Sequence, residues 1–221
     1  MEIKRVVFNP FRENTYLVWD DSQECIVIDA GKMNDGENRI LAEMISSRGL
    51  KPVMAVNTHG HFDHTGGVKW LKDEYGAQFA CSSKDRAIID ASAGGMVYGI
   101  KCSEVPAIDV DLDAVSELRF GNTVLRVIKT PGHTPGHVVL FNEDSRVLFT
   151  GDTLFRESIG RTDLPGGDYS WIMKSIIEEI LPLGDDVTIY PGHEAESTIG
   201  HESLYNPFIV EVLNDEINYR G

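Results

Sequence analysis

Four side chains that can bind a metal ion fall within six residues of this sequence: His59, His61, Asp63 and His64. Imidazole nitrogens and carboxylate oxygens are common ligands of zinc and other divalent cations. Residues two apart on a helix point to nearly opposite sides, whereas an extended or looped backbone places His59, His61 and Asp63 on one side. His64 must then turn towards a second ion or another partner. The spacing therefore predicts a metal site built on a loop.

Three later segments repeat the order of an apolar strand, a short turn and a metal-capable side chain. These residues are His133, Asp152 and His193. The strands predicted before them span residues 124–129, 146–149 and 187–190, respectively. Together with a strand predicted at 53–57, four strand ends supply seven candidate ligands, and α/β proteins gather sites at such ends. Seven ligands exceed the needs of one tetrahedral zinc and suit two cations about 3.5–4 Å apart that share a carboxylate. Asp152 is the sole candidate from its strand and is the predicted bridge.

The remaining histidines have different predicted roles. His133 and His137 are four residues apart, but Pro135 lies between them and argues against a shared helix face. We expect one of the two to bind metal and the other to orient a ligand. His201 is predicted not to be a ligand.

Two segments each have two interpretations from sequence. Arg161 and Asp163 follow the predicted bridge, and they form either an ion pair that fixes this loop or an ordinary surface pair. The glycine-rich residues 91–99, with Met96 and Tyr98, form either a mobile loop over the site or an ordinary surface loop.

The elements that position these residues alternate between strand and helix patterns. Further strands are predicted at 3–8, 16–19, 24–28, 118–120, 123–128 and 137–141, and helices at 40–45, 68–75, 82–89, 168–180 and 206–219. The helical stripe of Ile40, Leu41, Met44 and Ile45 is predicted to face the core, as are Trp70 and Leu71. No linker or low-complexity segment interrupts the pattern, so we expect one α/β domain over residues 1–221.

Composition restricts the partners and the compartment. The chain has 35 acidic and 20 basic residues and a formal charge of −15, which disfavours a nucleic-acid partner. No run approaches the ~18 apolar residues of a membrane helix, and residues 1–5 do not begin a secretory signal, so we expect no membrane partner and a cytoplasmic protein. Cys25, Cys81 and Cys102 are dispersed, which predicts free thiols.

The ordered motifs resemble those of the metallo-β-lactamase superfamily. They are Thr-His-Gly-His-Phe-Asp-His at 58–64, Pro-Gly-His at 131–133, Gly-Asp-Thr at 151–153 and Pro-Gly-His at 191–193. Segments 130–137, 151–155 and 160–163 further look like the glyoxalase II branch, in particular its short bacterial form.

This resemblance implies a four-layer αβ/βα sandwich with two metal ions between its sheets. It implies a first ion held by His59, His61 and His133, a second held by Asp63, His64 and His193, and Asp152 as the bridge. Zinc is the expected metal, with iron or manganese as alternatives. Asp63 and Asp152 would be catalytic beside a metal-activated water, while His137, Arg161 and Asp163 would support the ligands.

The implied function is hydrolysis of small-molecule 2-hydroxyacyl thioesters such as S-lactoylglutathione, by a monomer or small homo-oligomer. An iron-dependent persulfide dioxygenase shares these motifs and is the alternative, and a metal-binding scaffold is a third class. His193 stands 28 residues before the end of the sequence, so the helical domain of full-length glyoxalase II, which supplies glutathione contacts, is expected to be absent. We therefore expect weak binding of the thiol half. Bridging Asp152 and the lack of an export signal argue against a secreted β-lactamase, and His61 argues against the flavo-diiron branch.

Overall fold

The computed structural model describes residues 1–219 and contains sixteen strands in that range. In chain order they are β1 (Glu2–Phe8), β2 (Glu13–Trp19), β3 (Glu24–Ile28), β4 (Lys51–Val56), β5 (Gln78–Cys81), β6 (Met96–Val97), β7 (Ile100–Lys101), β8 (Val110–Asp111), β9 (Glu117–Phe120), β10 (Thr123–Lys129), β11 (Val138–Asn142), β12 (Val147–Gly151), β13 (Leu154–Phe155), β14 (Ser158–Ile159), β15 (Thr188–Pro191) and β16 (Ser197–Thr198).

The strands form two six-stranded sheets and two small hairpins. The first sheet has the order β1-β2-β3-β4-β5-β8, and its strands from β3 onward pair in parallel. The second has the order β16-β15-β12-β11-β10-β9, with one parallel pair, β12 and β15. The hairpins are β6–β7 and β13–β14.

Seven α-helices lie within the described range, and six of them pack on the outer faces of the sheets. They are α1 (Asp35–Ser46), α2 (Phe62–Thr65), α3 (Val68–Tyr75), α4 (Arg86–Ser92), α5 (Tyr169–Ser175), α6 (Ile199–Tyr205) and α7 (Pro207–Tyr219). A 3-10 turn (Ser83–Asp85) precedes α4, and α5 continues through a π-helical segment (Ile176–Ile180) into a second 3-10 turn (Leu181–Leu183).

Three apolar cores separate four layers. Tyr16 and Phe149 lie in the core between the sheets, because alternate residues of β2 and β12 point to that face. Leu17 packs on the other face with α1 and α3, whereas Leu148 packs with α5, α6 and α7. This arrangement confirms the predicted α/β fold, a sandwich of two sheets between helices.

The predicted ends of several helices agree with the structure. The Asp168 side chain accepts a hydrogen bond from Trp171 N and caps α5, and the Asn206 side chain accepts one from Phe208 N at the start of α7. Gly49, three residues beyond the end of α1, has a φ of +64°. Residues 220–221 of the predicted domain lie outside the described residues. Nowhere in residues 1–219 does a helix combine the length and apolar character needed to cross a membrane.

Three expectations about the elements were wrong. Ile40 is 47% exposed, whereas Leu41, Ile45 and Leu71 are buried and Met44 and Trp70 are partly buried against the core, as expected. The helix expected at 82–89 begins as a 3-10 turn and runs as α4 to residue 92. The loop expected at 91–99 contains the end of α4 and much of the β6–β7 hairpin. Strands β5 and β8 were not predicted, because strands of four and two residues carry little periodic signal.

Candidate metal centre

Two groups of metal-capable side chains meet between the edges of the two sheets. The first comprises His59, His61 and His133, and the second Asp63, His64 and His193; in each group the possible ligand atoms lie within 4.8 Å of one another. The loop after β4 supplies four of these residues, and the loops after β10 and β15 supply the other two. The structure thus divides six of the seven predicted ligands into two sets, and His59 and His64 also form a third possible set with Asp29.

Asp63 does not lie on the same side as His59 and His61, although their spacing in an extended backbone predicted that it would. His61 still has extended backbone angles, but helix α2 begins at the next residue, Phe62. This turn of the chain carries Asp63 away from His59 and places it beside His64. The separation of the two sets therefore depends on a four-residue helix inside the motif.

Asp152 contacts both groups and so joins them. Its Oδ1 lies 3.5 Å from His64 Nε2, and its Oδ2 lies 3.6 Å from His133 Nε2 and 3.5 Å from His193 Nε2. Gly192 permits this approach, because a Cβ there would lie 2.3 Å from Asp152 Oδ1. A carboxylate in this position can share its two oxygens between two cations.

Two buried side-chain atoms of the site lack a hydrogen-bond partner in the part of the chain that the structure describes, as expected for atoms that bind a metal ion. His59 Nε2 and Asp152 Oδ1 are buried, and neither has a hydrogen-bond partner among the residues described. A buried polar atom without a partner costs about 1–3 kcal/mol. Divalent cations at these positions would satisfy both atoms, so the residues present fit the group that their chemistry implies.

The pKa shifts of His59, His61 and Asp152 match the protonation states that ligands need, whereas that of His64 favours the protonated imidazole. Burial lowers the pKa of His59 well below its ordinary value and, together with neighbouring His133, lowers the pKa of His61 to about 3. Burial also lowers the pKa of His64, but the carboxylates of Asp152 and its neighbours outweigh burial and raise it. Burial alone would raise the pKa of Asp152, and the surrounding histidines, chiefly His64, instead hold it at about 2. Neutral imidazoles and an ionised carboxylate are the forms that bind cations.

Hydrogen bonds fix the orientation of the ligand rings. His133 Nδ1 donates to the Arg161 carbonyl oxygen at 2.8 Å, and His193 Nδ1 donates to the Phe11 carbonyl oxygen at 3.0 Å. Each bond leaves Nε2 free for a metal, which is the usual role of such partners. The backbone of Arg161 therefore supports a ligand, although its side chain was the predicted support.

The Arg161 and Asp163 side chains form an exposed ion pair. Arg161 Nε lies 2.7 Å from Asp163 Oδ1, and the side chains are 56% and 68% exposed. Such pairs contribute only ~0–1 kcal/mol. Of the two interpretations open from sequence, the surface pair fits this geometry.

His137 lies behind the bridge and orients it. The Asp152 backbone N–H donates to His137 Nε2 at 3.0 Å, and His137 Nδ1 faces the hydroxyls of Thr130 and Thr153 at 3.0 and 2.9 Å. Both ring nitrogens are thus engaged, which assigns the metal-facing role to His133. His201 lies elsewhere, with Nε2 2.9 Å from Glu157 Oε1.

Comparison with known proteins agrees with this geometry. The sequence profile of the metallo-beta-lactamase superfamily matches residues 8–193. This chain belongs to the metallo-β-lactamase superfamily. The fold and its histidine and aspartate clusters imply divalent metal ions, and family membership supports a metal-dependent hydrolase.

Three known proteins are similar to this chain over nearly its whole length. Hydroxyacylglutathione hydrolase GloC of Haemophilus influenzae is 34% identical over 212 residues, which cover 95% of this chain and 98% of GloC. The crystal structure of the BLEG-1 B3 metallo-beta-lactamase matches with a TM-score of 0.85 at 33% identity, covering 94% of this chain and 99% of that one. The di-iron-bound form of TTHA1623 matches with a TM-score of 0.78 at 30% identity, covering 93% and 99%.

Two buried aspartates beside the ligands of this metallo-β-lactamase fold were missed from sequence. Asp29 accepts hydrogen bonds from Thr58 N and Oγ1, both at 2.7 Å, and its Oδ2 lies 3.2 Å from His64 Nδ1. Asp85 accepts from Gly60 N at 2.9 Å, Thr134 Oγ1 at 2.7 Å and Gly136 N at 2.7 Å. Both aspartates follow the ends of parallel strands, β3 and β5. The pattern of a strand, a short turn and a metal-capable side chain would therefore also identify both aspartates if it were applied to these two strands.

A cavity of about 1100 Å³ opens above the metal centre. It reaches His61, His133, Asp152 and His193 at its floor, and its walls are largely apolar with a few basic side chains. This volume lies near the upper end of the range typical of small-molecule sites. The centre is therefore accessible to a substrate much larger than water.

Proposed function

We propose that this chain is a dinuclear metal-dependent thioesterase that hydrolyses 2-hydroxyacyl thioesters such as S-lactoylglutathione. The observation that carries the proposal is the position of Asp152, within 3.6 Å of ring nitrogens from both ligand groups. Two-metal sites with a shared carboxylate are suited to hydrolysis. The similarity to GloC, whose name specifies a hydroxyacylglutathione substrate, supports the choice of thioester.

In the proposed mechanism His59, His61 and His133 hold one cation, and Asp63, His64 and His193 hold the other. Bound there, zinc ions would lower the pKa of a water molecule and polarise the thioester carbonyl. Asp63 lines the cavity, 3.6 Å from His193 Nε2, where its carboxylate is placed to take a proton from water. A departing thiolate, from a thiol of pKa near ~8.5, needs little help from an acid.

Three basic side chains that could contact an anionic thiol line the cavity: Lys84, Arg156 and Arg161. Each already lies beside a carboxylate, at 3.0 Å for Lys84 and Asp113, 4.0 Å for Arg156 and Glu157, and 2.7 Å for Arg161 and Asp163. The expectation of weak binding of the thiol half stays a prediction.

Two other activities are candidates for a site with these motifs. A persulfide dioxygenase would need iron and oxygen and remains the alternative from the motifs. Opening of a β-lactam ring is a second candidate, because BLEG-1, named a metallo-beta-lactamase, is 33% identical to this chain. We propose a small-molecule substrate in every case, since a charge of −15 disfavours nucleic acid.

The deciding experiment compares three activities of one metal-analysed sample. We expect hydrolysis of S-lactoylglutathione at the same rate in air and in oxygen-free buffer, because water is the only co-substrate. Oxygen uptake with glutathione persulfide, without thioester hydrolysis, would establish the dioxygenase instead. Turnover of a chromogenic cephalosporin in the absence of thioesterase activity would establish the β-lactamase.

A further inference from the structure

One part of the cavity lining is aromatic and directly adjoins the metal centre. The rings of Phe11 and Phe62 meet edge to face with centroids 5.3 Å apart, and Tyr98 lies 6.2 Å from Phe11 and 6.4 Å from Phe62. We call these three residues the aromatic wall. Phe62 stands between His61 and Asp63 in the chain, so the wall begins beside one ligand of each group.

The β6–β7 hairpin holds Tyr98 at the mouth of the cavity. Tyr98 and Gly99 form its two-residue turn, with φ angles of +49° and +78°. Positive φ at both central residues is typical of a type I′ hairpin turn, but it is uncommon for a bulky residue such as tyrosine. The Tyr98 side chain is 74% exposed, so it contributes little to the core. Its strained position is instead suited to contact with a ligand in the cavity.

A second part of the lining is basic and belongs to different elements. Arg156 lies in the β13–β14 hairpin, and Arg161 lies in the loop that follows it. The aromatic wall itself contains no charged side chain. The cavity therefore offers an uncharged aromatic surface and two arginines that each lie beside a carboxylate, Glu157 at 4.0 Å and Asp163 at 2.7 Å.

We propose that the aromatic wall is the binding site for the side chain of the acyl group. This inference rests on the proposed thioesterase function and specifies its substrate class: 2-hydroxyacyl thioesters with a phenyl or similarly large apolar group. The acyl side chain is attached within two bonds of the reacting carbonyl, which must lie at the metal centre beside Phe62. The charges of an anionic thiol such as glutathione are many bonds away from this carbonyl. A lactoyl methyl group would leave most of the wall in contact with water, which makes it a poorer fit.

The test compares S-mandeloylglutathione with S-lactoylglutathione, which differ only by phenyl in place of methyl. We expect the wild-type protein to have the higher kcat/KM for the mandeloyl ester. Tyr98→Ala and Phe11→Ala should each lower kcat/KM for this ester about threefold to tenfold, as expected for loss of one aromatic contact. The loss for the lactoyl ester should be smaller than for the mandeloyl ester in each variant, because a methyl group contacts less of the wall. Tyr205→Ala is the matched control, because Tyr205 is also an exposed aromatic residue, at 64%, but does not line the cavity.

A binding measurement separates failure of this inference from failure of the proposed function. The probes are two glutathione thioethers that cannot be hydrolysed, with 2-hydroxy-2-phenylethyl and 2-hydroxypropyl groups on sulfur, and calorimetry gives their Kd values. If wild type binds the phenyl thioether more tightly than the 2-hydroxypropyl thioether, and Tyr98→Ala removes this preference, the result would support the aromatic wall even if no thioester is hydrolysed. Equal binding of both thioethers, or an equal loss for both esters in Tyr98→Ala, would overturn the inference even if thioesterase activity is present.

Discussion

At the residue scale, the side chain of Asp85 ties together two loops that carry ligands. Its carboxylate accepts from Gly60, between His59 and His61, and from Thr134 and Gly136, just after His133. Burial raises the pKa of Asp85, and the hydrogen bonds that it accepts limit the rise. The first ligand group thus depends on one carboxylate that is not itself a ligand.

Asp85→Asn should weaken metal binding without unfolding the protein. An asparagine amide must turn its NH₂ towards one of the donors that the carboxylate accepts from, so at least one hydrogen bond is lost whichever way it faces. Loss of such supporting contacts typically costs about 10–100-fold in metal affinity. Competition with a chromophoric chelator measures the affinity, and circular dichroism checks the fold.

Asp90→Asn is the matched control for this prediction. Asp90 is an exposed carboxylate on the following helix, α4, and it pairs with Arg86 instead of the ligand loops. We expect wild-type metal affinity for it. Equal affinities for wild type and Asp85→Asn would show that the ligand loops hold their positions without the carboxylate.

At the element scale, a turn of the first sheet is joined to a turn of the second through Asp20. Asp20 lies between β2 and β3. Its Oδ2 accepts from Asn122 N, in the turn between β9 and β10, at 2.7 Å and from Thr123 Oγ1, at the start of β10, at 2.8 Å. Ser22 donates to Oδ1 from its backbone and its hydroxyl. Partial burial raises the pKa of Asp20, but these hydrogen bonds outweigh it and lower the pKa to about 2.

Asp20→Asn should destabilise the protein by roughly 1 kcal/mol at neutral pH, because one of its two acceptor oxygens is replaced by a donor. A depressed carboxyl pKa contributes stability that is fully present above its ordinary pKa of 3.8 and is lost as the pH falls towards about 2. The difference in free energy of unfolding between wild type and Asp20→Asn should therefore become smaller as the pH falls over that range. Urea unfolding at several pH values measures the difference.

The neighbouring residue provides a control for the Asp20 prediction. Asp21 is exposed and carries the same charge, so Asp21→Asn should unfold like the wild type at each pH. A deficit in Asp20→Asn that is constant from pH 7 to pH 2 would rule out the ionised carboxylate as its cause.

At the scale of the whole molecule, the metal centre lies where the two sheets meet. The loop after β4 of the first sheet supplies His59, His61, Asp63 and His64, whereas β10, β12 and β15 of the second sheet precede His133, Asp152 and His193. Bound cations would therefore connect the two halves of the sandwich. Their binding energy would then contribute to the stability of the folded chain.

Removal of metal should lower the thermal stability of the whole domain. A ligand present at 100 times its Kd stabilises a protein by about 2.7 kcal/mol, which for a chain of this size corresponds to roughly 5–11 °C in Tm. We expect chelation to lower Tm by about that amount in the wild type and in the control His201→Ala. Asp152→Ala should start from a lower Tm and respond much less, because it removes a contact to both groups. An unchanged wild-type Tm after verified metal removal would contradict this view.

The sequence alone determined the fold class and the candidate ligands, because both depend on short-range patterns. Each ligand follows an apolar strand or lies in one dense motif, so its position can be identified without knowledge of distant residues. The same strand-end rule would also have identified Asp29, because β3 was predicted, but it could not reach Asp85 without the unpredicted strand β5.

Only the tertiary structure decided how these parts meet. The separation of Asp63 from His59 depends on helix α2, the role of His137 on the amide of Asp152, and the aromatic wall on contact between Phe11, Phe62 and Tyr98. Strands β5 and β8 are too short to be recognised by periodicity and are stabilised by the neighbours they pair with. These features result from contacts between residues far apart in the chain, and local spacing carries no information about such contacts.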